Sequence, residues 1–130
     1  MQGKRGLIMG VANGHSIAWG IAKELAAQGA ELAFTFQGDA FGKRVLPLAA
    51  EAGSDFLIPC DVEDIASVNA VFGAIEKRWG KLDFVVHAIG FSDKNELRGR
   101  YVDTSAANFR MTMDISVYSF TAVCQRACAM

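Results

Sequence analysis

Four short apolar runs alternate along this chain with segments of helical period. The runs are residues 6–9, 31–36, 55–59 and LDFVVHAIG, which begins at Leu82. This alternation constrains the fold more than any single motif, because strand–helix–strand units close compactly as parallel pairs with a helix packed on the sheet. The expected helices cover about 17–28, 39–52 and 65–79, with Ser16 as the first N-cap and Gly29, Gly53 and Gly80 as stops. In the first helix Ile17, Ile21 and Leu25 recur every four residues and are expected to face the sheet. In the third, Val68, Val71, Phe72 and Ile75 share one side. The fourth run stops near Ala88 and lacks polar alternation, as suits a strand buried on both faces. Residues 91–104 are polar and irregular, too long for a plain connector, and helical character returns from about Ser105 to the end.

The class is therefore α/β. Right-handed crossovers favour a doubly wound parallel sheet of strand order 3-2-1-4 with helices on both faces, the first half of a Rossmann-type nucleotide fold. At 130 residues the chain is one domain or part of one. The last stretch is helical without a C-cap signal, and the fourth strand would leave a long apolar sheet edge. The expectation is the N-terminal, dinucleotide-binding part of a single domain, residues 1–130, cut on its C-terminal side.

With 52% apolar and 21% charged residues the composition is globular, and a net charge of −1 leaves no basic face for nucleic acid. No apolar run reaches membrane-spanning length. Cys60, Cys124 and Cys128 read as reduced, buried thiols rather than a metal site, since neither His15 nor His87 lies near them in sequence. An odd cysteine count without a signal peptide points to a cytoplasmic location.

In this fold, ligands bind beyond the carboxyl ends of the strands. Four segments fall there in turn: residues 10–16, Gln37 with Gly38, Asp61 with Val62, and residues 88–90. Gly10 permits a tight turn and close backbone approach. Ser16, at a helix start, serves as an N-cap, as a diphosphate ligand, or as both. Gln37 stands where an acidic residue usually binds the adenosine ribose, and no arginine sits beside it, which favours NADH over NADPH. Asp61 either accepts from an adenine amino group, with the Val62 backbone helping, or caps the third helix, for which Asp64 is an equal candidate. GDAFGKR at 38–44 is a false phosphate loop, one residue short between its glycines and lacking Ser/Thr after Lys43. His87 reads as structural, and neither Tyr101 nor Tyr118 has a lysine three or six residues on, so no catalytic group is assigned.

GVANGHSIAWGIA, FTFQGD, CDVED, HAIGFSDKNEL and DISVYSF, in this order and spacing, resemble the NADH-dependent bacterial enoyl-[acyl-carrier-protein] reductases, divergent members of the short-chain dehydrogenase/reductase superfamily. The resemblance covers the whole chain. It implies that Gly10, Ser16, Ile17, Gln37, Asp61, Val62, Ile89 and Gly90 bind NADH. It further implies that Phe91 and Ser92, with Gly90, border the nicotinamide and acyl pocket. The family often has alanine at the position of Ser92, which puts a side-chain contact there in doubt. Ordinary short-chain dehydrogenases carry G-x-x-x-G-x-G in the first turn and often N-A-G after the fourth strand; Ser16 and Ala88-Ile89-Gly90 separate this chain from them.

The implied activity is NADH-dependent reduction of the trans-2 double bond of enoyl thioesters on acyl carrier protein, in the fatty-acid elongation cycle. The implied assembly is a homotetramer, and residues 113–130 suit either a helix packed on another subunit or the core. The implied tyrosine and lysine, spaced Tyr-x6-Lys, belong beyond Met130, so these 130 residues alone are expected to be inactive. Two alternatives remain open: a carbonyl reductase of the same superfamily, marked by Tyr-x3-Lys, and a non-catalytic dinucleotide-sensing module with neither pair.

Overall fold

The computed structural model describes residues 1–130. Its four strands are β1 (Arg5–Met9), β2 (Glu31–Phe36), β3 (Leu57–Pro59) and β4 (Phe84–His87). They form one parallel sheet in the order β3-β2-β1-β4, the order the crossover rule favours. At the centre, Ile8 of β1 pairs with Phe34 on one side and Val86 on the other. The helices are α1 (Ile17–Ala27), α2 (Gly38–Glu51), α3 (Ile65–Trp79), α4 (Ala106–Met113) and α5 (Ser119–Ala127). Between α4 and α5 the backbone loosens into a π turn, Asp114–Tyr118, and a short 3-10 turn covers Tyr101–Asp103.

The two-residue period of a strand sorts β1 between two cores. Leu7 and Met9 point to one face, where they meet Val68, Val71 and Ile75 of α3 and Val123 of α5. Ile8 points to the other, against Ala18 and Ala22 of α1 and Val45 and Ala49 of α2. A sheet covered on both sides in this way fixes its register, because a one-residue slip would exchange the two sets. The expected stripe of α3 (Val68, Val71, Phe72, Ile75) is buried. Asp64 caps that helix by accepting from the Ala66 N–H, and Gly80 ends it at φ +69°.

Two expectations change. On α1 the buried residues are Ala18, Trp19 and Ala22, with Leu25 packed beside them, while Ile17 and Ile21 are exposed. On β4 every residue is only half-buried. Val85 reaches one core and Phe84 and Val86 the other, but β4 pairs with β1 alone and is the sheet edge here. No helix is long and apolar enough to cross a membrane.

Candidate functional site

The carboxyl ends of all four strands open into one cleft of about 310 Å³. β1 delivers Gly10, Val11 and Ala12 to its wall, and β2 delivers Thr35, Phe36 and Gln37. Cys60, Asp61, Val62 and Glu63 follow β3; Ala88, Ile89, Gly90 and Phe91 follow β4. Phe41 of α2 and Ile115 of the π turn complete it. The lining is largely apolar, carries no lysine or arginine, and includes two carboxylates, Asp61 and Glu63.

Of the residues expected from sequence, Gly10, Gln37, Asp61, Val62, Ile89, Gly90 and Phe91 come together at this cleft, while Ser16, Ile17 and Ser92 stand outside its lining. Gly10 has φ +107°, and a Cβ there would lie 2.1 Å from the Ala88 carbonyl oxygen. Its close approach within the chain is therefore to the end of β4. Gln37 is exposed and its side chain caps nothing. Asp61 does not cap α3. One of its carboxylate oxygens accepts from the Glu63 N–H at 3.0 Å, which closes a local turn, and the other has no partner in the chain.

Ser16 occupies the N-cap position of α1, but its hydroxyl makes no cap bond. Instead Oγ accepts from the backbone N–H groups of Ala12 at 2.9 Å and Asn13 at 3.1 Å. The Asn13 side chain in turn accepts from His15 N–H. Ser16 thus organises the turn that precedes it, and its hydroxyl hydrogen is left to donate. Ile17, first in the helix, is 78% exposed. Ser92 turns its side chain away from the cleft, accepting from Asn108 Nδ2 at 3.2 Å and Thr112 Oγ1 at 2.9 Å.

Sequence reasoning missed Thr35, Phe36, Phe41, Cys60, Glu63 and Ile115 as lining residues. Thr35 and Phe36 were legible as the last residues of β2, next to Gln37. Phe41 and Ile115 carried no signal, since only packing brings α2 and the π turn to the strand ends. Of the three thiols only Cys60 is buried; Cys128 is exposed at the end of α5. Burial pushes the Cys60 thiol up to about 11, against a smaller lowering by its hydrogen bond to Ser67, so it is not a nucleophile at neutral pH.

His87 is a framework residue. Its Nε2 lies 2.8 Å from Ser119 Oγ, and the Ser119 hydroxyl donates to the Ile115 carbonyl at 2.6 Å. With the hydroxyl hydrogen so used, His87 Nε2 must be the donor to Oγ. Burial holds the imidazole below its usual pKa. Phe120 sits edge-on to the ring at 5.6 Å.

A 3-2-1-4 parallel sheet with a largely apolar cleft at its switch point defines a Rossmann-type α/β protein. The profile of the family described as Enoyl-(Acyl carrier protein) reductase matches residues 10–130. The chain belongs to that family. It is 76% identical over 127 residues to the protein named Enoyl-[acyl-carrier-protein] reductase [NADH] 2 of Rhizobium meliloti, covering 98% of this chain and 47% of that one. It is 46% identical over 127 residues to the FabI enzyme of the same name from Rickettsia bellii, covering 98% and 48%. Among solved structures, FabI from Candidatus Liberibacter asiaticus superimposes with a TM-score of 0.96 at 61% identity, over 98% of this chain and 49% of that one. The reductase of Anaplasma phagocytophilum, solved in complex with NAD, gives a TM-score of 0.94 at 57% identity over the same shares. The chain thus spans about half the length of the relatives it matches.

Proposed function

We propose that the full-length protein is an NADH-dependent enoyl-[acyl-carrier-protein] reductase of fatty-acid synthesis, acting in the cytoplasm, and that this chain is the dinucleotide-binding part of its single domain. The observation that carries the reading is the convergence of Gly10, Gln37, Asp61, Val62, Ile89 and Gly90 on one cleft, in a family whose members bear that name.

The residues present suit a dinucleotide. The free carboxylate oxygen of Asp61 can accept from an adenine amino group, and the Gln37 amide can bond ribose hydroxyls. The N–H groups of Ile17 and Ala18 at the start of α1 offer donors for a diphosphate, with the Ser16 hydroxyl hydrogen aiding. Ile17 adds an apolar surface beside that turn. A cleft without lysine or arginine offers no counter-charge to a 2′-phosphate, which supports NADH over NADPH. Bound NADH supplies the hydride that reduces the trans-2 double bond. Around it, Ile89 and Gly90 back the dinucleotide, while the backbone of Phe91 and Ser92 borders the acyl chain. The tyrosine and lysine that the resemblance implies belong beyond Met130, where a placed hydroxyl would stabilise charge developing on the thioester oxygen.

The test is NADH consumption by the full-length protein with a short trans-2-enoyl thioester. Enoyl-dependent loss of NADH absorbance is expected. Turnover of a β-ketoacyl thioester with none of the enoyl substrate would establish the carbonyl-reductase reading instead.

The reading extends to assembly as a homotetramer. Phe109, Met113, Val117 and Phe120 are about half exposed and recur along the outer face of α4, the π turn and α5. An exposed apolar stripe on a helix fits contact with a second copy.

A further inference from the structure

The face of α4, the π turn and α5 that looks toward β4 is polar. Ser105, Asn108, Thr112, Ser116 and Ser119 follow one another at intervals of three or four residues, so they stack on one side. Each bonds to the end of β4 or to the chain that leaves it. Ser119 meets His87, and Ser116 meets Phe91. Thr112 donates to Ser92, and the Asn108 carbonyl accepts from Asp93 N–H at 3.0 Å. Ser105 donates its N–H and hydroxyl to Glu96 at 2.8 and 2.7 Å. Asn108 is buried, so its bonds are made away from water, where they hold geometry most firmly.

Ser116 differs from the others in taking both backbone groups of one residue. Its Oγ accepts from Phe91 N–H at 3.0 Å and donates to the Phe91 carbonyl at 3.2 Å. A Cβ at Gly90 would meet the same oxygen at 4.0 Å. The next residue back, Ile115, lines the cleft itself. One hydroxyl therefore fixes the peptide groups on both sides of Phe91, where the cleft opens. The other strand-end residues, Gly10, Gln37 and Asp61, take no hydrogen bond from this helical face.

We propose that this polar row is a clamp on residues 91–93, and that Ser116 is its positioning residue, setting the acyl end of the cleft independently of the dinucleotide end. The assignment of the two ends rests on the function proposed above; the clamp itself rests on the hydrogen bonds alone. A neutral hydroxyl suits the task because it can accept and donate at once without a charge beside the cleft.

The experiment compares full-length parent, Ser116→Ala and Ser116→Thr. Loss of a single positioning bond is expected to raise the KM for a short enoyl thioester by about three- to tenfold in Ser116→Ala, with the KM for NADH moving less than about twofold. Ser116→Thr, which keeps the hydroxyl, returns the acyl KM to within about twofold of the parent. In the ligand-free proteins, hydrogen exchange at the Phe91 amide is expected to quicken in Ser116→Ala and not in Ser116→Thr. Equal KM changes for both ligands, an unchanged acyl KM, or failure of threonine to rescue would overturn the proposal. If the parent reduces no enoyl thioester, the functional reading has failed, and the exchange measurement decides the clamp by itself: an unchanged Phe91 rate in Ser116→Ala removes it.

Discussion

At position 10 a side chain is forbidden twice over. The φ of +107° disfavours any L residue, and the Ala88 carbonyl oxygen occupies the place of its Cβ. The sequence showed a turn glycine but suggested only ligand approach as its reason; the contact with β4 is a separate, structural one. Gly10→Ala is expected to destabilise the protein by roughly 2–5 kcal/mol, combining backbone strain with a backbone clash. A urea midpoint equal to the parent's would show that the turn relaxes freely. Gln37 is a different kind of residue, exposed and structurally uncommitted, so its replacement tests ligand choice with little change in fold. In Gln37→Asp, NADPH use is expected to fall by tenfold or more, on the order of one like-charge contact, while NADH use is spared. Improved NADPH turnover would show that the adenosine ribose is read elsewhere.

Among the elements, α1 shows how apolar spacing can mislead. A strict four-residue recurrence drifts round a helix of 3.6 residues per turn, and bulk drew attention to Ile17 and Ile21. The buried line is instead Ala18, Ala22 and the flank of Leu25, and alanines let the helix lie close to the sheet. Ala22→Leu is accordingly expected to cost about 1–3 kcal/mol by overpacking, whereas Ile17→Ala changes stability by less than about 0.5 kcal/mol. The same Ile17→Ala protein should bind NADH more weakly, as a titration of its fluorescence would report. A large loss of stability with unaltered NADH affinity would return Ile17 to a core role. α4 inverts the usual arrangement, with Asn108 and Thr112 inward and Phe109 and Met113 outward. The sequence displayed both sets but could not say which faced the sheet, because that depends on what the loop after β4 offers as partners.

Over the whole molecule, that inverted helix and the half-buried β4 lie on the same side of the sheet order, at the end opposite β3. The outward stripe supplies the prediction at this scale. Full-length protein carrying Met113→Glu and Val117→Glu is expected to sediment as a smaller species than the parent, since two carboxylates per copy would have to be desolvated in the contact. An unchanged sedimentation coefficient would place the subunit contact on another surface. The assembly reading is separable from the clamp, because the two stripes share no residue and lie about 100° apart round the helix.

The amino-acid sequence by itself determined the layered α/β class, the 3-2-1-4 order and seven of the residues that meet at the cleft. All but Phe91, which only the family resemblance implied, follow from local periodicity and crossover handedness, which a linear reading captures. Tertiary structure alone decided that Ser16 bonds back into its own turn, that Ile17 stays outside the core, and that Phe41 and Ile115 reach the cleft. It also decided that a row of hydroxyls and an amide grips residues 87–96. Such pairings join residues up to 32 positions apart. Their partners are chosen by how helices settle on the sheet, and no pattern within one segment encodes that distance.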